Sequence, residues 1–137
     1  MNSRAKGIWQ GMNWISQQKR LAIYLRDGLT CVWCGATAEE GVTLSLDHLV
    51  PHSKNGVNES TNLACSCKRC NDSRGNRSLP KFAAAVAVYL NHGVSQEFVL
   101  ARVRAAGRRS LSPYTPSAKA LIAKHGTVAK FLSSITK

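Results

Sequence analysis

Cys31-Val-Trp-Cys34 and Cys67-Lys-Arg-Cys70, separated by 32 residues, decide how this chain is read. One Cys-x-x-Cys turn can present two sulfurs to a common point, and two such turns complete a closed tetrahedral four-cysteine zinc site. The gap exceeds the spacing of a simple zinc ribbon, so a substructure must be inserted between the two knuckles. The alternative is a set of disulfides or buried free thiols. The odd count of five cysteines, the paired spacing and an N-terminus without a secretory pattern count against disulfides. The fifth, Cys65, is expected to be a small packed thiol, less suited to the ion than the x-x pairs.

Working outward, the insert reads Leu46-Asp-His-Leu-Val-Pro-His-Ser-Lys-Asn-Gly56, and later Asn62-Leu-Ala-Cys65. Leu44, Leu46 and His48 alternate with Thr43, Ser45 and Asp47, which predicts a strand within 42–50, ended by Pro51. Asn55-Gly56 marks a turn. Asn62-Leu-Ala suggests a brief return strand or turn, and 67–74 a helix. Before the first knuckle, Ser16 can cap a helix that carries Leu21, Tyr24 and Leu25 and runs to Asp27, with Gly28 beyond its end. After Arg77 the pattern is helical throughout: 82–91 with Pro80 in its first turn, 95–106 ended by Gly107, a Pro-containing connector 110–117, then 117–125 and 127–135 divided by Gly126. Phe98, Val99, Leu100, Val103 and Ala106 supply the apolar stripe of the second of these helices.

At 137 residues the chain is expected to hold one compact module with appended helices: a lead-in and zinc module over 1–77, with a core near 20–77, and a basic helical extension over 78–137. The longest apolar stretch, 82–90, is far below the roughly 20 residues of a membrane span. No membrane partner is expected, and an intracellular setting is, in a bacterium or a phage-infected cell. The formal charge is +12, the footprint of a nucleic-acid binder, although charge alone does not separate DNA from RNA or from an acidic membrane surface. It is unevenly distributed. Residues 31–72 hold five acids against three bases, and residues 73–137 hold eleven bases against Glu97. An acidic centre suits a cation and basic flanks suit a polyanion. Arg74, Arg77, Arg102, Arg104, Arg108 and Arg109 are the candidate nucleic-acid contacts, the last four as a ridge on the 95–106 helix and its end.

These motifs resemble the HNH nucleases of the four-cysteine type. The likeness covers about residues 20–77: an arginine-bearing helix ending Asp27-Gly, the Leu46-Asp-His48 strand, the Pro51-x-Ser53-x-x-Gly56 loop, Asn62-Leu, and Cys67-x-x-Cys70-Asn71 followed by Arg74-Gly. It implies an α+β fold, a small ββα-metal core stapled by a four-cysteine zinc site and flanked by N- and C-terminal helices. It also implies a DNA endonuclease that leaves 5′-phosphate and 3′-hydroxyl ends, on double-stranded DNA. In the roles carried over, Asp47 and Asn71 hold the catalytic divalent ion, His48 activates water and Asn62 braces the hairpin. The residue types suit that chemistry. Neighbouring Asp47 and His48 on a strand point to opposite faces, one for a hard cation and one as general base. An amide at 71 favours Mg2+ or Mn2+. The competing readings are a zinc-knuckle nucleic-acid-binding protein without catalysis, for which Asp47, His48 and Asn71 have no use, and a protein-interaction module, against which the basic C-terminal half speaks. His52 is expected to be a loop or phosphate contact, His92 and His125 to sit at helix C-termini, and Trp9, Trp14 and Trp33 to serve packing, with Trp9 and Trp14 left open for base stacking.

Overall fold

The protein is described from a computed structural model, over residues 14–90 and 93–136. Among these residues a two-stranded hairpin organises the fold. Strand β1 (Leu44–His48) pairs antiparallel with β2 (Leu63–Cys67), in the register Leu44↔Cys67, Leu46↔Cys65 and His48↔Leu63. The second strand is longer than the sequence suggests. Every residue of Leu-Ala-Cys-Ser-Cys is buried, so no alternation of polar and apolar residues betrays it. Helix α2 (Lys68–Arg74) follows directly, with Cys67 as its N-cap residue, and completes a ββα unit.

Helix α1 (Gln17–Arg26) precedes the hairpin, capped by Ser16 Oγ on the Lys19 N–H. Four helices follow: α3 (Leu79–Leu90), α4 (Gln96–Arg108), α5 (Thr115–His125) and α6 (Val128–Ile135). Within the connector, a 3-10 turn over Ser112–Tyr114 leads into α5, and Pro116 occupies the first turn of that helix. No helix among the described residues is long and apolar enough to cross a membrane.

The pleat divides the hairpin between two cores. Leu44, Leu46, Leu63 and Cys65 face α1, Ala118 of α5, and Val128 and Phe131 of α6. Ala64, on the other face, joins Cys31, Val32 and Trp33 of the first knuckle with Phe82 and Val86 of α3 and Val99 and Val103 of α4. The helices after residue 78 therefore complete both cores.

Two details of α4 differ from expectation. Gly107 lies inside the helix. A Cβ there would stand 2.6 Å from the Thr61 carbonyl oxygen, so the glycine permits a close approach of helix to loop. Phe98 is 56% exposed and not part of the buried stripe, which consists of Val99, Val103, Ala106 and Gly107. The Arg102 guanidinium lies 5.4 Å from the centre of its ring.

Candidate active site and metal centre

Four thiols converge where β2 ends. The sulfurs of Cys31, Cys34, Cys67 and Cys70 all lie within 4.8 Å of one another, with those of Cys34 and Cys67 3.8 Å apart. Tetrahedral bonds of about 2.3 Å set sulfurs about 3.8 Å apart, so the cluster has the size to hold a metal such as zinc. Each knuckle is pinned by an N–H to sulfur bond, Cys34 N to Cys31 Sγ at 3.5 Å and Cys70 N to Cys67 Sγ at 3.4 Å. Hydrogen bonds from Cys31 and Cys70 lower the Cys34 thiol to about 3, while the same bonding with Cys31 and Cys34 pushes Cys70 upward. A cation can take the place of the protons on such converging thiols. Cys65 stands outside the cluster. It is fully buried, and burial raises its thiol further out of the ionisable range.

At the opposite end of the ladder, β1 delivers Asp47 to one face and His48 to the other. Asp47 is 4% exposed. Its Oδ2 accepts the Trp33 Nε1–H at 2.7 Å and its Oδ1 accepts Arg74 Nη1 at 2.7 Å. Burial pushes the Asp47 carboxyl upward more than Arg74 and Trp33 draw it down, yet both oxygens act as acceptors, as in an ionised carboxylate. Asn71, on α2, lies on the same face. Its Nδ2 donates to Ser45 Oγ at 3.0 Å and to the Leu46 carbonyl at 3.1 Å, which directs Oδ1 away from both. The donors suit a hard divalent ion in kind, a carboxylate with lone pairs to spare and an amide oxygen.

His48 is half-buried. Its Nε2 lies 2.8 Å from Asn58 Oδ1, the Trp14 ring is 5.0 Å away and the His52 ring 5.9 Å away, centre to centre. Burial lowers the imidazole below its ordinary range. Lys19 donates to the Asn58 carbonyl at 3.0 Å, tying α1 to the loop that supplies this partner. Asn62 fastens the same loop: Oδ1 accepts the Val50 N–H at 2.8 Å and Nδ2 donates to Val50 O and Val57 O at 3.1 and 2.9 Å.

The candidate nucleic-acid contacts do not form one surface. Arg74 is 2% exposed and, besides Asp47, donates to the carbonyls of Arg77, His48 and Leu49, so it is an internal strut. Arg102 is turned onto the first knuckle, donating to the Val32 and Trp33 carbonyls at 2.8 and 2.6 Å. Arg109 reaches Asp27 at 2.9 Å. Arg104 and Arg108 are exposed, and Arg77, also exposed, folds back on the carbonyls of Ser73 and Arg74. The four-arginine ridge is corrected accordingly: unsatisfied backbone carbonyls and a buried carboxylate claim two of its members.

Sequence reasoning passed over Asn58, Arg26 and the work of Asp27 and Trp33. Asp27 is the sole acid among the first 30 residues, and that isolation is the one visible hint of its burial. Trp9 and His92 lie outside the described residues. His125 ends α5 with its ring 5.4 Å from that of Phe131.

Residues 31–86 match the family model of HNH endonucleases. No curated protein matches the chain. Among solved structures, the chain is similar to the Type II-C Cas9 enzyme from Actinomyces naeslundii, with a TM-score of 0.44 and 24% identity, over 78% of this chain and 13% of that one. The chain thus spans a small part of that enzyme's length. The paired knuckles, the ββα unit and the Asp47-His48 strand end all fall inside the segment, residues 31–86, that is similar to HNH endonucleases.

Proposed function

We propose that the chain is a metal-dependent DNA endonuclease in which His48 is the general base, Asp47 and Asn71 hold one divalent ion, Mg2+ or Mn2+, and the four knuckle cysteines hold a structural zinc. The observation that carries this reading is the bond between His48 Nε2 and Asn58 Oδ1. An amide oxygen only accepts, so Nε2 carries the proton of the neutral ring and Nδ1 keeps its lone pair. Burial keeps the ring neutral at physiological pH. A neutral imidazole with a fixed tautomer is what removal of a proton from water requires. The divalent ion supplies charge neutralisation at the phosphate and at the departing 3′ oxygen. Asn62 keeps the Val50–Val57 loop, and with it Asn58, in register with His48. The +12 charge draws a polyanion to the site.

The test is cleavage of supercoiled plasmid with Mg2+, with Mn2+ and with EDTA. His48→Ala should lower the rate about 10²–10⁴-fold and keep DNA affinity. Native-rate cutting by that variant would overturn the assignment. A second reading, a zinc-stabilised nucleic-acid-binding protein without cleavage, is favoured by the Arg74–Asp47 ion pair, which neutralises the carboxylate without a metal. Tight DNA binding by a wild type that never nicks plasmid would identify it.

A further inference from the structure

Trp33 is a knuckle residue, set between two sulfur donors, and it is fully buried. Its indole N–H is directed at Asp47 Oδ2 across 2.7 Å. Packing around the ring fixes that direction. Phe82 meets it edge-on at 4.8 Å, and the Arg74 guanidinium lies 5.7 Å from its centre. The backbone beside it is fixed as well: the Val32 N–H donates to the Cys65 carbonyl at 2.9 Å, hanging the knuckle on β2, and Arg102 of α4 holds the carbonyls of Val32 and Trp33. Arg74 approaches Asp47 from the other side, and the same guanidinium takes the carbonyls of His48 and Leu49.

We propose that Trp33 is a positioning residue for Asp47, through which the four-cysteine centre sets the carboxylate that the nuclease site offers to its divalent ion; this rests on the reading of Asp47 as a ligand. The argument is geometric. A carboxylate on a strand can turn about its terminal torsion, which is broad and two-fold. One donor on each oxygen removes that freedom. Arg74 supplies one. The other comes from the segment whose shape depends on the four sulfurs, so the metal-bound knuckle and the position of Asp47 are one mechanical unit. Groups that orient a metal ligand in this way typically change metal affinity or activity 10–100-fold when removed.

Trp33→Phe keeps an aromatic ring, smaller than the indole, and deletes the N–H. The first measurement needs no turnover: Mn2+ is titrated into the zinc-loaded, 15N-labelled full chain, and paramagnetic broadening of the Asp47 and Asn71 amide signals is followed. In the wild type these signals should broaden selectively, and Trp33→Phe should raise the Mn2+ concentration needed 10–100-fold, with zinc content and DNA affinity retained and the thermal midpoint lowered but the fold kept. Plasmid cleavage at saturating DNA should show the same shift in Mn2+ requirement. An unchanged Mn2+ titration in a folded, zinc-loaded Trp33→Phe would overturn the role of Trp33. Broadening that never reaches Asp47 in the wild type would overturn the ligand reading beneath it. Should the variant lose its fold, Arg102→Gln, which frees the knuckle carbonyls and leaves the indole in place, must raise the Mn2+ requirement in the same direction, and an unshifted requirement there would overturn the proposal.

Discussion

The Asp27 carboxylate ties distant parts of the chain together. Its Oδ1 accepts Arg26 Nε at 2.8 Å and Arg109 Nη2 at 2.9 Å, and its Oδ2 accepts Arg26 Nη2 at 3.0 Å and the Cys65 N–H at 2.9 Å. Arg26 also donates to the carbonyls of Ser60 and Leu63. A single buried carboxylate thus joins the end of α1, the middle of β2 and the end of α4. Asp27→Ala would leave the Arg26 guanidinium buried without its counter-charge, which typically costs 3–5 kcal/mol. Arg109→Gln breaks the second ion pair of that carboxylate, from its 43% exposed side, where solvent screens the loss, and about 1 kcal/mol or less is expected. Urea denaturation of both variants checks the order; equal destabilisation would show that exposure does not separate the two arginines. Asn62→Ala removes three bonds from the loop opposite His48. It should cost about 1–3 kcal/mol and lower the cleavage rate more than that loss of folded protein explains.

Among the elements, α4 and the knuckles make the sharpest claims. Alanine is a better helix former than glycine by about 1 kcal/mol, and on propensity alone Gly107→Ala should stabilise α4. The 2.6 Å approach to the Thr61 carbonyl opposes it, and overpacking of this kind costs about 1–3 kcal/mol. The steric term is the larger, so Gly107→Ala should lower the thermal midpoint; a raised midpoint would show that the contact can relax. The knuckles hold β2, α2 and the segment before β1 at one point. Cys34→Ser or Cys67→Ser should unfold the module, because a structural zinc contributes on the order of 10 kcal/mol in small domains, comparable with total stability. Metal analysis should find one zinc per wild-type chain. A folded, zinc-free wild type would eliminate the site. Cys65→Ser lies outside the cluster and should leave zinc content unchanged.

For the whole molecule, the proposed function makes charge decide how DNA affinity responds to salt. Each lost phosphate contact lowers the slope of log affinity against log salt by about 0.9. Arg104→Gln with Arg108→Gln removes two exposed cations of α4, so a decrease of up to about 1.8 is expected if both meet phosphate, with no loss of thermal stability. Arg102→Gln with Arg109→Gln should behave in the opposite way, lowering the midpoint and changing the slope little, because both side chains are committed to the fold. Fluorescence anisotropy over a salt series separates the pairs, and identical slope changes would show that all four face DNA.

Cysteine spacing, the Asp47-His48 alternation and the Asn-Gly turn were legible in the sequence because each is a local pattern with a local physical cause: a knuckle, a pleat, a left-handed Asn55 at φ 68°. The resemblance to the HNH nucleases followed from their combination, and helices α1 and α3 to α6 from their periodicity, caps and glycines. Strand β2 was only half visible, since a strand buried on both faces carries no alternation. The side chains around Asp47 were not visible at all. Nothing in the sequence separates Arg74, bound to a carboxylate and three carbonyls, from exposed Arg77, or Trp33 the donor from Trp33 the filler. An arginine's role depends on which carbonyls and carboxylates lie within reach, and those come from segments up to 82 residues away, as with Arg109 and Asp27. Local chemistry named the candidate ligands and the candidate base; only the packing of α2, α3 and α4 against the knuckle and hairpin determined which arginines the fold consumes and which remain exposed.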